Sequence, residues 1–283
     1  MAGFQVAVTS AKGGTGTTTV AAALALAVAR RFAEVQLLDC DVQGPDASLF
    51  LKATIDKSTV ITAETPEILV DRCTGCGECR AACQYNAIRV VSGKAEVHVE
   101  ACNGCGCCKL VCPADAVIER AGRIGIVESG SRENIVLHKG SLDMGRPLGS
   151  QLVRGLKAIA RADIPTIVDC GSGTTSEMIS GIRGSDYCIM VTEPTAFGLH
   201  DLKLIAGVVG EIGVPAGIVI NKDRSSGAGI DDFAAQAGMT VLMRIPFKKE
   251  VASLGSRGVA LTERSDSWDE AFWHLYEEIA GAR

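Results

Sequence analysis

The sequence predicts an α/β protein with a mostly parallel, doubly wound sheet, interrupted by a small cysteine-rich α+β unit. Three observations carry this. Short apolar β-rich runs alternate with helical patterns over most of the chain, which is the signature of a parallel sheet covered on both faces. A glycine-rich turn joins the first strand to the first helix. Nine of the twelve cysteines fall between Cys73 and Cys112, where the alternation stops.

Taken in order, Gln5–Thr9 reads as a strand, residues 10–16 as a loop, Thr17–Phe32 as a helix rich in Ala, Leu and Val, and Val35–Asp39 as a second buried strand. From about Asn134 the rhythm resumes. Strands are expected at Ile164–Asp169, Tyr187–Thr192, Ala216–Asn221 and Thr240–Ile245, with helices at about 149–161, 198–212 and 229–237 between them. In the last helix Trp268, Phe272, Leu275, Tyr276 and Ile279 share one face, and the other face is acidic. That helix is expected to pack on the sheet, since a membrane-lying helix would be basic on its polar side. The expected organisation is one α/β domain made of residues 1–65 and 122–283, with residues 66–121 inserted after the second strand.

Composition narrows the function. Of 283 residues, 47% are hydrophobic and 22% charged, an ordinary globular balance. The 28 Lys+Arg against 33 Asp+Glu leave a net charge of −5, so no nucleic-acid partner is expected. The longest apolar run, Val20–Ala29, is well short of the roughly 20 residues that span a bilayer. No secretory leader or membrane insertion is expected, and the expected location is the cytoplasm.

The cysteines follow two runs of one pattern: Cys73, Cys76, Cys79 and Cys83, then Cys102, Cys105, Cys108 and Cys112 followed by Pro113. This Cys-x2-Cys-x2-Cys-x3-Cys spacing holds two [4Fe–4S] clusters, the fourth Cys of each run serving the other cluster. Cys73, Cys76, Cys79 and Cys112 are therefore assigned to one cluster, and Cys102, Cys105, Cys108 and Cys83 to the second. Amides around Gly75, Gly77, Gly104 and Gly106 are placed to bond the sulfurs. Zinc is the competing reading, but zinc sites use pairs of cysteines and not two complete four-Cys runs. Cys107 is surplus and is read as a non-ligand. Cys40, Cys170 and Cys188 lie in apolar stretches and read as small core residues.

The stretch Lys12, Gly13, Gly14, Thr15, Gly16, Thr17, Thr18, Thr19 follows a strand and opens a helix. In that context loop amides and the helix N-terminus cradle phosphate, and Thr18 occupies the Mg²⁺-ligand position. The lysine that ordinarily precedes that position is replaced by Thr17, which removes the cation on the β/γ-phosphates and should weaken binding and hydrolysis.

With Lys12, the Asp39-Cys40-Asp41 strand end and the Asp169-Cys170-Gly171-Ser172-Gly173 loop, the chain resembles the deviant P-loop ATPases of the MinD/Mrp class, which includes the nitrogenase iron protein. More narrowly it resembles MinD-superfamily ATPases carrying an inserted bacterial-type ferredoxin domain. Residues 37–51, 191–204, 219–222 and 245–247 extend the likeness. The resemblance implies ATP/ADP and Mg²⁺ as ligands and a dimer with nucleotide between the subunits. Lys12 would reach the partner's phosphates, Asp41 would position the attacking water, Asp169 would lie near Mg²⁺, Gly173 would sense the γ-phosphate and Asn221 would read adenine. Gly171-Ser172 in place of Pro-Pro, and Lys248 where Asp often follows, depart from the family pattern, as Thr17 does. The expected function is nucleotide-gated electron transfer to a redox or metallocofactor acceptor protein. The chain would work as a homodimer, or as a hydrolysis-weakened subunit beside a paralogue. The alternative is assembly or delivery of an iron–sulfur or other metal centre.

Overall fold

The computed structural model describes residues 3–224 and 229–281; the outermost residues of the expected nucleotide domain lie outside them. β1 (Gln5–Thr9) runs through the glycine loop into α1 (Thr17–Ala29), and the chain returns as β2 (Val35–Cys40). The short α2 (Ala47–Leu51) leads into β3 (Thr54–Ile68). The cysteine-rich segment follows as α3 (Glu78–Ala82), β4 (Ile88–Val91), β5 (Lys94–Val97) and α4 (Cys107–Leu110). β6 (Val117–Arg132) and β7 (Ile135–Leu142) bring the chain back. The rest alternates: α5 (Gly149–Ile159), β8 (Thr166–Cys170), α6 (Ser176–Ile182), β9 (Tyr187–Thr192), α7 (Ala196–Ile212), β10 (Ala216–Asp223), α8 (Ile230–Ala237), β11 (Thr240–Pro246), α9 (Lys249–Ser256) and α10 (Asp266–Gly281).

These strands form one nine-stranded sheet in the order β11-β10-β9-β1-β8-β2-β7-β6-β3. From β11 to β7 every pairing is parallel, and β6 is antiparallel to both of its neighbours. β2 and β8 are buried along their whole length, which is why they read as unbroken apolar runs. One face is covered by α1 and α10, whose Leu24, Phe272 and Tyr276 are fully buried. Leu152, Met178 and Leu202 of α5, α6 and α7 close the other face. Each such side chain contributes about 1.5–3 kcal/mol on burial. α10 thus packs through the apolar face read from the sequence. Cys40, Cys170 and Cys188 are core residues, as expected. Among the described residues no helix is long and apolar enough to cross a membrane.

The first helix ends at Ala29, three residues before the expected Phe32. Asn134 Nδ2 donates to the carbonyls of Ala29 (2.7 Å) and Phe32 (2.8 Å), tying off the helix end with a side chain distant in sequence.

The larger difference concerns β3 and β6, which the sequence reading does not contain. They form an antiparallel ribbon paired from Thr54↔Ser131 to Ile68↔Val117. β7 accompanies β6 only from Gly125 to Arg132, so the far half of the ribbon leaves the sheet and carries the cysteine-rich segment. Positions 65/66 and 121/122, expected as boundaries, lie inside these continuous strands. The segment therefore follows the third strand, not the second. At its end β4 and β5 form a small hairpin, and Cys79, Ile88, Ala95, Cys108 and Val117 make a satellite core.

Candidate functional site

The phosphate loop is built from the end of β1 into α1. Gly16 precedes the helix at φ 103°, and a Cβ there would sit 2.3 Å from Asn221 Nδ2, so only glycine fits. Asn221 Nδ2 donates to Thr15 O at 2.7 Å, and its Oδ1 accepts from Lys222 N at 2.8 Å. The expected adenine reader is thus engaged in holding the loop. Thr15 Oγ1 donates to Lys12 O at 2.7 Å, and Lys12 itself is exposed beside Thr195, Phe197 and Asp201. Thr17 Oγ1 donates to Ser10 Oγ at 2.7 Å, and Ser10 Oγ donates to Lys12 O at 2.9 Å. Where a lysine would aim a charge at phosphate, Thr17 folds a hydroxyl back into the loop. Gly13 and Gly14 stay exposed. The Gly173 amide, expected as a γ-phosphate sensor, donates to Ser10 O at 2.9 Å.

Behind the loop lies an acidic cluster. Oxygens of Asp39, Asp46 and Asp169 fall within 4.8 Å of one another. Both Asp169 oxygens are buried without a hydrogen-bond partner. Burial, then the charge of Asp39, pushes its pKa well above the usual carboxylate range, while the nearby Thr18 hydroxyl acts the other way. Asp39 accepts from Ala47 N (2.9 Å) and Asp41 N (3.2 Å), yet burial still pushes it up to about 7. Asp41 is half-buried and also raised, by burial and by Asp46, and it faces Gly171. Crowded carboxylates of this kind fit a divalent cation, which would favour their charged forms. Thr18 and Asp41 thus lie near Asp169. Asp39 and Asp46 were not among the expected site residues, although the Asp39-Cys40-Asp41 pattern and Asp46 close after it were visible signals.

On the other side of the loop is a cavity of about 250 Å³ lined by Gly14, Gly16, Thr19, Asn221, Phe247 and Lys248 among others. The guanidinium of Arg224 lies 4.1 Å from the Phe247 ring centre. Lys222 Nζ bridges Gly14 O (2.9 Å) and Glu193 Oε1 (2.7 Å). A planar base fits such a slot, with the glycine loop leading to the acidic cluster.

In the cysteine-rich segment, Cys73, Cys76, Cys79 and Cys112 line one concavity. Cys83 and Cys105 are neighbours of Cys102, and Cys102 and Cys105 are neighbours of Cys108. The two halves repeat each other. Ala87 N donates to Cys83 Sγ and Ala116 N to Cys112 Sγ, both at 3.3 Å. Gly77 and Gly106 open α3 and α4 at φ 82° and 75°. Amides of Ala95 and Gly75, with Lys94 nearby, hold the Cys73 thiol below its ordinary pKa. Burial pushes Cys79 and Cys102 up, and Cys108 up to about 11. Among the described residues no three cysteine sulfurs lie within 4.8 Å of one another. A single tetrahedral metal with bonds of about 2.3 Å needs thiolates about 3.8 Å apart. The donor set suits a larger polynuclear centre. Cys107 is exposed and sits against Cys105.

A strand–glycine loop–helix at the centre of a parallel sheet, with a cation-compatible cluster and a base-sized slot on either side, defines a nucleotide-binding α/β domain of the P-loop type. The chain belongs to the CobQ/CobB/MinD/ParA nucleotide-binding domain family, matching it over residues 6–261. It is 29% identical over 280 residues to the uncharacterised protein MJ0578 of Methanocaldococcus jannaschii, covering 98% of this chain and 96% of that one. A second uncharacterised protein of the same organism, MJ0579, is 26% identical over 265 residues, 92% of each chain. Among solved structures, the cell-division ATPase MinD of Pyrococcus furiosus superposes with a TM-score of 0.60 at 19% identity, over 99% of this chain and 100% of that one. MinD of Pyrococcus horikoshii, complexed with Mg-ADP, gives 0.57 at 20% identity, over 98% and 95%. These likenesses establish the fold.

Proposed function

We propose that this chain is a nucleotide-gated iron–sulfur protein, in which ATP and Mg²⁺ at the phosphate loop control electron transfer through two [4Fe–4S] clusters. Residues 66–121 would form the inserted ferredoxin unit, carried on the β3–β6 ribbon. The observation that carries the reading is the exchange of the fourth cysteine: Cys112 lines the concavity of the first run, and Cys83 neighbours the second. That cross-over is what two-cluster ferredoxin spacing demands, whereas zinc sites use pairs of cysteines and not two complete four-Cys runs. A [4Fe–4S] centre bound at each set would supply one-electron chemistry.

In this reading the chain's own residues do the following. Cys73, Cys76, Cys79 and Cys112 hold one centre, and Cys83, Cys102, Cys105 and Cys108 the other. The amides of Ala87, Ala95, Gly104 and Ala116 bond to ligand sulfurs and tune them. Gly13–Gly16 and the α1 N-terminus cradle phosphates. Thr18, Asp169 and Asp39 hold Mg²⁺, and Asp41 orients water. Lys12, exposed at the loop, reaches across to a second subunit. With Thr17 at the lysine position, the chain's own site is weak, which suits pairing with a paralogue that has an intact loop. The existence of two proteins similar to this chain in one organism agrees with such pairing. Delivery of a metal centre is the less favoured reading, because Cys79, Cys102 and Cys108 are buried ligands and a carrier must release its cargo.

The test is preparation without oxygen. About eight irons and about eight sulfides per chain are expected, with an EPR signal of the reduced protein that changes on adding Mg-ATP. Zinc in their place, or no sulfide, sinks the reading.

A further inference from the structure

We propose that the cluster held by Cys83, Cys102, Cys105 and Cys108 is the one whose environment follows the nucleotide, and that Gln151 is the residue positioning it against the nucleotide domain. The proposal rests on the two-cluster reading above and adds which cluster responds and through what.

The two cysteine runs are near repeats, but their loops are seated differently. In the first run Gly75 is packed inside the unit, since a Cβ there would lie 2.2 Å from Gly93 O in the β4–β5 turn. Its counterpart Gly104 is packed on the nucleotide domain: a Cβ there would lie 2.7 Å from Gln151 Nε2, 3.0 Å from Glu64 O and 3.5 Å from Leu148. Gln151 Nε2 also donates to Asn103 O at 3.2 Å, within the Cys102–Cys105 loop. Asn103 Nδ2 donates in turn to the Tyr85 hydroxyl at 2.8 Å, two residues beyond Cys83. One contact thus reaches both chain segments that supply this set of thiolates. The Gly104 amide itself donates to Cys102 Sγ at 3.4 Å. Bonds to cluster sulfurs are a principal determinant of potential, so a small shift of this loop alters the electronic setting of that centre.

Gln151 lies in the first turn of α5, where the nucleotide-facing loops converge. Leu142, at the end of β7, donates its amide to Val42 O at 2.8 Å, next to Asp41. Gly149 abuts the Glu177 carboxylate, where a Cβ would lie 2.4 Å from Oε1. Glu177 opens α6, directly after the loop whose Gly173 amide is bonded to Ser10 O. A γ-phosphate that draws the Gly173 amide away from Ser10 moves α6, and the contact with Gly149 passes that movement to α5. Leu148, Leu152, Val153 and Leu156 are fully buried, so α5 responds as a rigid body. No corresponding bond to the Cys73–Cys79 loop is found among the described residues.

The test uses the full chain, prepared without oxygen and titrated potentiometrically by EPR with and without Mg-ATP. One of two signals is expected to shift with nucleotide. Cys105→Ser should alter the shape of that signal, and Cys76→Ser should alter the other one. Gln151→Leu, similar in size but unable to donate, should keep its iron content and nucleotide affinity and lose the nucleotide-dependent shift. Gln151→Glu, which presents oxygen to the Asn103 carbonyl, should lose it too. A shift that follows Cys76→Ser, or survives intact in both Gln151 variants, overturns the proposal while leaving the two-cluster reading standing. The cysteine pair decides the matter even if the Gln151 variants assemble poorly. Wild-type protein without iron–sulfur signals, or with signals blind to nucleotide, removes the reading beneath it.

Discussion

Thr17→Lys returns a cation to the phosphate loop, and the structure says what it costs. The variant loses the bond from Thr17 to Ser10 Oγ (2.7 Å), about 0.5–1.5 kcal/mol. It also places positive charge on the first residue of α1, against the helix dipole, for about 0.3–1 kcal/mol. The free protein should therefore be about 1–2 kcal/mol less stable to guanidinium. An ammonium bonded to a phosphate oxygen returns about 1.5–3 kcal/mol in the complex, so Mg-ATP should bind about 10- to 100-fold tighter by calorimetry. Turnover should rise with it, because the same charge stabilises the transferring phosphoryl group. If stability falls as stated while affinity and turnover stay at wild-type values, the loop is not the phosphate site and the reasoning fails.

Further outcomes follow from other contacts. Gly75→Ala forces a Cβ to 2.2 Å from Gly93 O at φ +72°, so iron content should drop to about four atoms per chain while nucleotide binding persists. Asp39 has a folded pKa of about 7 against an ordinary 3.8, so the folded state holds the extra proton between these values. Stability of the nucleotide-free protein should thus fall as pH rises from about 4 to about 7, by up to roughly 4 kcal/mol; Asp39→Asn should flatten that slope in urea melts. Asp169→Asn should abolish the Mg²⁺ dependence of nucleotide binding without unfolding the chain, read by titration with and without chelator. Asp269 is buried in α10 and paired with Arg30 and Arg31, so Asp269→Ala should cost about 1.5–3 kcal/mol in a denaturant melt.

Much of this was legible in the chain because the signals are local. The β1–glycine loop–α1 unit is contiguous, and Gly16 is demanded by its own backbone angle as well as by Asn221. The ribbon was illegible for an equally physical reason. β3 is an edge strand with few buried positions, and β6 carries Gly122, Gly125 and Gly130 among charged residues, so neither shows a run or an alternation to read. Lys222 gains its role from contacts with Gly14 and Glu193, far away in sequence, and α1 ends where Asn134 caps it from across the fold.

Spacing alone carries the proposed thiolate chemistry and the proposed phosphate cradle, because ligand reach and loop curvature are set within a few bonds of the backbone. Only the packed molecule decided which cysteine loop rests on the nucleotide domain. The two runs are nearly alike in sequence, and what separates Gly104 from Gly75 is a neighbour, Gln151, that approaches Gly104 only when the sheet has folded and carried α5 beneath it.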